Sequence, residues 1–170
     1  MPNYHIAQVN IGRVRAPMED PIMSGFASRL DEINALADRT PGFVWRLQTD
    51  AGNATYFRPY PEDDRILINM SVWESVETLA AFVYSDEHRE VMRQRRSWFE
   101  RMAVAHTALW WIPRGHVPTP QEAEERVIHL RVYGPTPHAF SLREHFPPPD
   151  AAGSAEPGPV SSPEEWNCPA

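Results

Sequence analysis

The stretch from Leu67 to Arg96, LINMSVWESVETLAAFVYSDEHREVMRQRR, leaves a folding chain few options, because an alternating strand ends in a Trp and a helix begins at once. Ile66, Ile68, Met70 and Val72 alternate with Leu67, Asn69, Ser71 and Trp73, the period of a strand with two different faces. One face is apolar and the other carries hydrogen-bonding groups. Ser75 is placed to N-cap the next segment, in which Leu79, Phe82 and Val83 recur at helical spacing. A two-faced strand running into an amphipathic helix predicts a sheet with helices on one side only.

Similar units flank this one. Residues 4–11 alternate Ala7, Val9 and Ile11 against Ile6, Gln8 and Asn10, so a second two-faced strand is predicted. Asp20 before Pro21 starts a helix whose stripe is Ile22, Phe26, Leu30, Ile33 and Ala37, ending near Thr40. Residues 43–49 set Phe43, Trp45 and Leu47 against Val44, Arg46 and Gln48. Residues 50–64 read as a loop, with a short extra strand at 55–57. Ser85 caps a helix from Asp86 to about Met102, with His88, Val91, Met92, Trp98, Phe99 and Met102 inward, and residues 105–112 form the last strand. Strand, helix, strand, strand, helix, strand is the split pattern of a ferredoxin-like α+β fold, a four-stranded antiparallel sheet with helices on one face.

That unit accounts for residues 1–114. Residues 115–146 are expected to pack on it as a helical C-terminal extension. Thr119-Pro120-Gln121-Glu122 reads as a capping box, with a helix to Tyr133 and a stop at Gly134; residues 138–146 add a strand or lie across the sheet. From residue 147 to 170 the chain is Pro, Ala, Gly, Ser and acidic residues, too poor in apolar area to offset the entropy of ordering. A disordered tail is expected there.

Composition removes several function classes. With 170 residues, of which 42% are apolar, the chain can bury one good core. A net charge of -7 argues against a nucleic-acid surface. The one basic cluster, Arg89, Arg93, Arg95, Arg96 and Arg101, is interleaved with Glu87, Glu90 and Glu100 and reads as a solvated or dimer-facing helix. No leader and no stretch of 18 apolar residues is visible, so a cytoplasmic location away from the membrane is expected. The chain has no lysine, which excludes a Schiff-base lysine and the P-loop lysine. Its one cysteine, Cys168, lies in the tail, where neither a disulfide nor a cysteine metal site is expected. No zinc-protease, α/β-hydrolase or dinucleotide motif is present.

The polar face is the functional candidate. Gln8, Asn10, Arg46, Asn69 and Ser71 share it with Trp73 at its rim, and it is read as the face without helices. It either stacks on a second sheet or lines a cavity in which a few polar groups orient an apolar ligand. His88 on its helix and His106 on the last strand could face one pocket as an acid and base pair. No metal site is assigned: His129, His138 and His145 have no carboxylate pattern around them and read as surface residues.

The N-x-S-V-W-E-S run at 69–75, its helix, and the Ser-Asp that opens the next resemble the antibiotic-biosynthesis-monooxygenase and heme-degrading branch of the dimeric α/β-barrel superfamily. The runs V-W-E-S-x-E, F-V-Y-S-x-x-H-R, Leu109-Trp110-Trp111-Ile112-Pro113, G-H-x-P-T-x-x-E-A and G-P-T-P-x-A-F resemble more closely a bacterial family of unknown function within it. The resemblance implies a homodimer whose sheets face each other and a pocket between each sheet and its helices. It also implies chemistry without a bound cofactor, in which an Asn and a Trp hold a phenolic substrate and dioxygen. Asn10 and Trp73 fall where those residues would stand. In the heme-degrading branch a helix His binds iron beside a pocket Trp, but Met92 and Phe82 occupy those positions here, leaving His88 one turn earlier as the alternative heme ligand.

The resulting expectation is a cofactor-independent monooxygenase, or a related cyclase or isomerase, acting on an aromatic or polyketide-like molecule in natural-product chemistry. Asn10 and Gln8 would orient a substrate oxygen, Arg46 would stabilise negative charge, His88 or His106 would move a proton, and Asn69, Trp73 and Phe82 would line the pocket. The alternatives are a heme-dependent enzyme using His88 and a non-catalytic ligand-binding dimer. The last requires Asn10, Arg46 and Asn69 paired with one another and no void beside them.

Overall fold

The structure is a computed structural model that describes residues 2–48, 63–151 and 158–159. Four strands, β1 (Tyr4–Arg13), β2 (Phe43–Arg46), β3 (Ile66–Trp73) and β4 (Thr107–Pro113), form one sheet in the order β2-β3-β1-β4. Every neighbouring pair is antiparallel. With α1 (Ser24–Arg39) after β1, and α2 (Val76–Val83) and α3 (Asp86–Gln94) between β3 and β4, this is the ferredoxin-like arrangement the residue pattern predicts. The extra strand expected at 55–57 lies outside the described residues, as does most of the tail expected to be disordered.

Local chemistry sets the element ends. Asp20 accepts from the Ile22 backbone N–H at 3.0 Å and starts a 3-10 turn, Pro21–Met23, that leads into α1. That tighter turn rotates the stripe: Ile22 is exposed and Met23 is buried in its place. Ser75 and Thr78 form a reciprocal capping box on α2. The helix expected to reach Met102 ends at Gln94, and a 3-10 turn, Arg95–Ser97, follows. From there the chain runs beside β1: Arg15 N–H donates to the Trp98 oxygen at 2.7 Å and Glu100 N–H to the Arg13 oxygen at 2.8 Å. A register shift between Phe43 and Trp45 breaks the alternation of β2. Phe43 therefore packs edge-on against Trp73 on the helix side, whereas Trp45 and Leu47 join the opposite core.

The assignment of faces from sequence is inverted. The helices α1 to α3 lie over the polar face, and the apolar face, Ala7, Val9, Ile11, Ile68, Met70, Val72, Ala108, Trp110 and Ile112, is the one turned away from them. Alternation shows that the faces differ but not which one receives the helices. The apolar face is covered by α4 (Pro120–Tyr133), whose Ala123, Val127 and Leu130 pack on it. The resemblance would seat a second subunit there. Trp110 and Trp111 point to opposite sides, Trp110 into this core and Trp111 toward the helix side, where its indole N–H donates to the Phe146 oxygen at 2.8 Å.

Glu122 fixes the start of α4. Thr119 caps the Glu122 N–H at 3.1 Å, but the Glu122 carboxylate does not complete the expected box; it accepts from the indole N–H of buried Trp110 at 2.8 Å and lies 2.8 Å from His116 Nε2. Partial burial works against its ionised form, yet the bonds from His116 and Trp110 outweigh this and hold it below the ordinary Glu range. Glu122→Leu strands the Trp110 donor in the core and is expected to cost about 1–3 kcal/mol in chemical denaturation, while Glu122→Gln keeps an acceptor and most of that stability. Beyond α4, Leu109 and Phe140 exchange backbone hydrogen bonds at 2.8 and 2.9 Å. The segment thus adds one bridge to the β4 edge, and Phe140 and Leu142 turn into the core on the helix side. Two-residue strands β5 (Glu144–His145) and β6 (Gly158–Pro159) pair farther on.

Candidate functional site

Between the polar face and the three helices lies a cavity of about 170 Å³. All eight residues singled out from sequence line it: Gln8, Asn10, Arg46, Asn69, Trp73, Phe82, His88 and His106. The pairing register orders its floor. Asn69, Asn10 and Thr107 form one row across three strands, Ser71, Gln8 and Leu109 the next, and Trp73, Ile6 and Trp111 the third. Of these, Asn69, Asn10, Thr107, Ser71, Gln8 and Trp73 line the cavity, so its lining runs from amides to an indole.

Hydrogen bonding fixes which end of each amide faces inward. The Trp73 indole N–H donates to Ser71 Oγ at 3.0 Å, and the Ser71 hydroxyl donates to Gln8 Oε1 at 2.8 Å. An indole can only donate, which leaves the Ser71 hydrogen free for the Gln8 carbonyl; with Oε1 engaged, the NH2 group is the end of Gln8 left over. Asn10 is polarised in the same sense, because its Oδ1 accepts from Arg95 Nη2 at 3.3 Å. Both amides thus have their carbonyl engaged, and both line the cavity together with Arg95.

Arg95 is the residue the sequence reading missed. The sequence reads it as part of a solvated or dimer-facing helix, yet it is 8% exposed, its guanidinium lies 4.6 Å from the Phe99 ring centre, and it lines the cavity. Gly12 makes room for it: a Cβ there would stand 2.7 Å from the Phe99 ring and 3.2 Å from Arg95 Nη2. The available signal was Gly12, which continues the Gln8 and Asn10 face just past the predicted strand. Ser71, the centre of the relay, was seen on the polar face but given no role. Arg46, expected to meet negative charge, is held by Asp38 through bonds of 2.8 and 3.1 Å. Its charge is largely matched before any ligand arrives.

Trp73 and Phe82 stack at 5.0 Å, and the Phe82 ring lies 5.0 Å from that of His88. His88 Nδ1 bonds the Val83 oxygen at 2.9 Å, so it carries the hydrogen and Nε2 keeps its lone pair. Burial, reinforced by the charge of Arg95 and opposed by the Val83 bond, lowers its pKa to about 4. At neutral pH it is an acceptor, not an acid. Between pH 6.5 and 4 the unfolded chain takes up this proton and the folded one does not, so stability falls with pH by about 3 kcal/mol across that window. Denaturation at pH 7 and 4.5 should show His88→Gln losing distinctly less than the parent protein. His106 sits at the far end, one residue before β4, with Nδ1 3.2 Å from the Val104 oxygen.

Phe82 and Met92 line the cavity where the heme-degrading pattern has Trp and His, so the residues with which that pattern holds heme are absent from these positions. The pairing required of a filled, non-catalytic module is also not what is seen: Asn10 bonds Arg95 and Arg46 bonds Asp38.

A family described as a domain of unknown function (DUF3291) matches residues 5–156. The chain belongs to that family. No curated protein matches. Among solved structures, SnoaB from Streptomyces nogalater, a cofactor-independent oxygenase, is similar at 15% identity with a TM-score of 0.45, over 68% of this chain and 97% of that one. A conserved protein from Methanosarcina mazei is similar at 13% identity and a TM-score of 0.47, over 65% and 93%. PA3566 from Pseudomonas aeruginosa gives 10% and 0.44, over 66% and 95%. No helix among the described residues is long and apolar enough to cross a membrane.

Proposed function

We propose that this member of the family is a cofactor-independent oxygenase acting on a small aromatic molecule that carries a phenolic or enolic oxygen. The observation that carries the proposal is the polarised lining: Gln8 and Asn10, each with its carbonyl already engaged, and Arg95 all line an otherwise aromatic and aliphatic cavity. Such a set favours an oxyanion over a neutral hydroxyl, because desolvated donors gain most from negative charge. Trp73 and Phe82 supply the wall against which a planar ring packs. The volume admits at least one aromatic ring, since an apolar cavity of about 150 Å³ already admits benzene.

Stabilising the oxyanion raises electron density on the ring carbon para to it, and that carbon is the one dioxygen attacks. For 1-naphthol the balance is one naphthol plus one O2 giving one 1,4-naphthoquinone and one water, with the C4–H bond broken and a carbonyl formed there. Neutral His88 accepts a hydrogen bond at Nε2 and so orients the substrate or its peroxide; it does not hold the phenolic proton, which passes to solvent and is matched by the one taken up when the peroxide releases water. This narrows the proton-moving role expected from sequence.

The test is aerobic turnover of 1-naphthol, with quinone absorbance and oxygen uptake followed together. The proposal expects one O2 per quinone and, for Asn10→Ala, about a hundredfold loss of kcat. An Asn10→Ala protein that folds and turns over at the parental rate would sink it.

A further inference from the structure

Away from the cavity, on the outer side of the extension, three ligand-type side chains converge: the Glu125 carboxylate and the His129 and His138 imidazoles offer ligand atoms within 4.8 Å of one another. We propose that they bind one divalent transition-metal ion of the zinc kind. Glu125 and His129 stand one helical turn apart on α4, so both project from the same face. His138 is brought over that face by the turn from Thr136 to Ala139, which is closed by the Thr136 N–H to Ala139 oxygen bond at 2.9 Å. The next residue, Phe140, is anchored to the β4 edge. The third ligand is thus carried on a short segment fixed at both ends.

The donor set is two imidazoles and one carboxylate, the set that suits zinc and its neighbours and not magnesium or calcium, which take oxygen ligands. At metal–ligand distances of about 2.0–2.2 Å the ligand atoms of a tetrahedral ion stand roughly 3–4 Å apart, so small rotamer shifts close the present arrangement around an ion. The His129 and His138 rings already lie 4.6 Å apart, and Glu125 Oε1 is 2.8 Å from His138 Nε2. His129 Nε2 bonds Thr136 Oγ1 at 3.0 Å, a contact the ion would replace. Arg126 opposes binding. Its guanidinium lies against the His138 ring and donates to the His138 backbone oxygen at 3.1 Å, and its Nε is 3.3 Å from Glu125 Oε2.

None of the three ligands lines the cavity, so the ion is structural. It staples the 136–139 turn to α4 and so holds in place Phe140 and Leu142, which follow that turn into the core. This corrects the expectation that these histidines lack a carboxylate partner: Glu125 is remote from His138 in sequence and adjacent in space.

The full chain, freed of metal by chelation, is titrated with ZnCl2 by calorimetry and melted with and without one equivalent. One ion per chain and a higher Tm are expected. His129→Ala and His138→Ala should each lose at least about tenfold in affinity together with the Tm rise, whereas Arg126→Gln, which removes a competing cation, should bind more tightly. Co2+ should give visible d–d bands that the two His variants lack. Affinity unchanged in either His variant, or no saturable one-to-one uptake by the parent protein, overturns the proposal.

Discussion

An Arg95→Met protein should fold and should lose between about 10² and 10³ in kcat for 1-naphthol oxidation, the cost of removing one well-placed donor to an oxyanion. Methionine keeps an unbranched apolar stem beside the Phe99 ring while deleting the charge. Arg95 combines three restraints that fix where that charge sits: the ring beneath it, the Asn10 carbonyl and the space left by Gly12. Losing it also releases Asn10, whose NH2 group is then no longer set toward the cavity. Two readouts separate this role from a structural one. The variant should lose the parent's preference for the naphtholate over naphthalene in fluorescence titrations. The His88 pKa, followed by NMR, should rise, since the Arg95 charge is one of the causes that lower it. A kcat within threefold of the parent value would end the assignment.

Trp73→Ala is expected to have the largest effect on stability, about 3–5 kcal/mol, because a fully buried indole in contact with Phe43 and Phe82 leaves a void that the β3 backbone cannot close. For a chain of this size that lowers Tm by roughly 6–20 °C. Trp73→Phe separates the two jobs of the residue. It refills much of the void and should recover most of the stability. It has no N–H, so the Ser71 hydroxyl is no longer committed to Gln8, and the Gln8 amide can turn its carbonyl toward the substrate oxygen. Turnover should therefore stay low while the melting curve recovers; recovery of both would show that the relay does nothing.

The fold was legible because it rests on local signals: period-two strands, Asp20 and Ser75 as caps, and Thr119 before Pro120. The lining of the cavity was legible for the same reason, since alternation alone places Gln8, Asn10, Asn69 and Trp73 on one face. What failed was non-local. Which face receives the helices depends on crossover packing, and the apolar face invited the wrong choice because α4, more than a hundred residues beyond β1, covers it. Arg95 was illegible because its neighbours in sequence are charged and its neighbours in space are Asn10, Gly12 and Phe99. Arg46 was over-read for the converse reason. Nothing local shows that Asp38, at the end of α1, lies in wait for it.

Because α4 is joined to the sheet it covers, closure of the apolar face is a unimolecular event. Where a separate subunit supplies such a cover, dilution opens the sheet and stability tracks protein concentration by mass action. Here the cover is tethered through a short connection after Pro113, at an effective concentration set by the chain itself. The cover that α4 gives this face therefore does not itself depend on protein concentration.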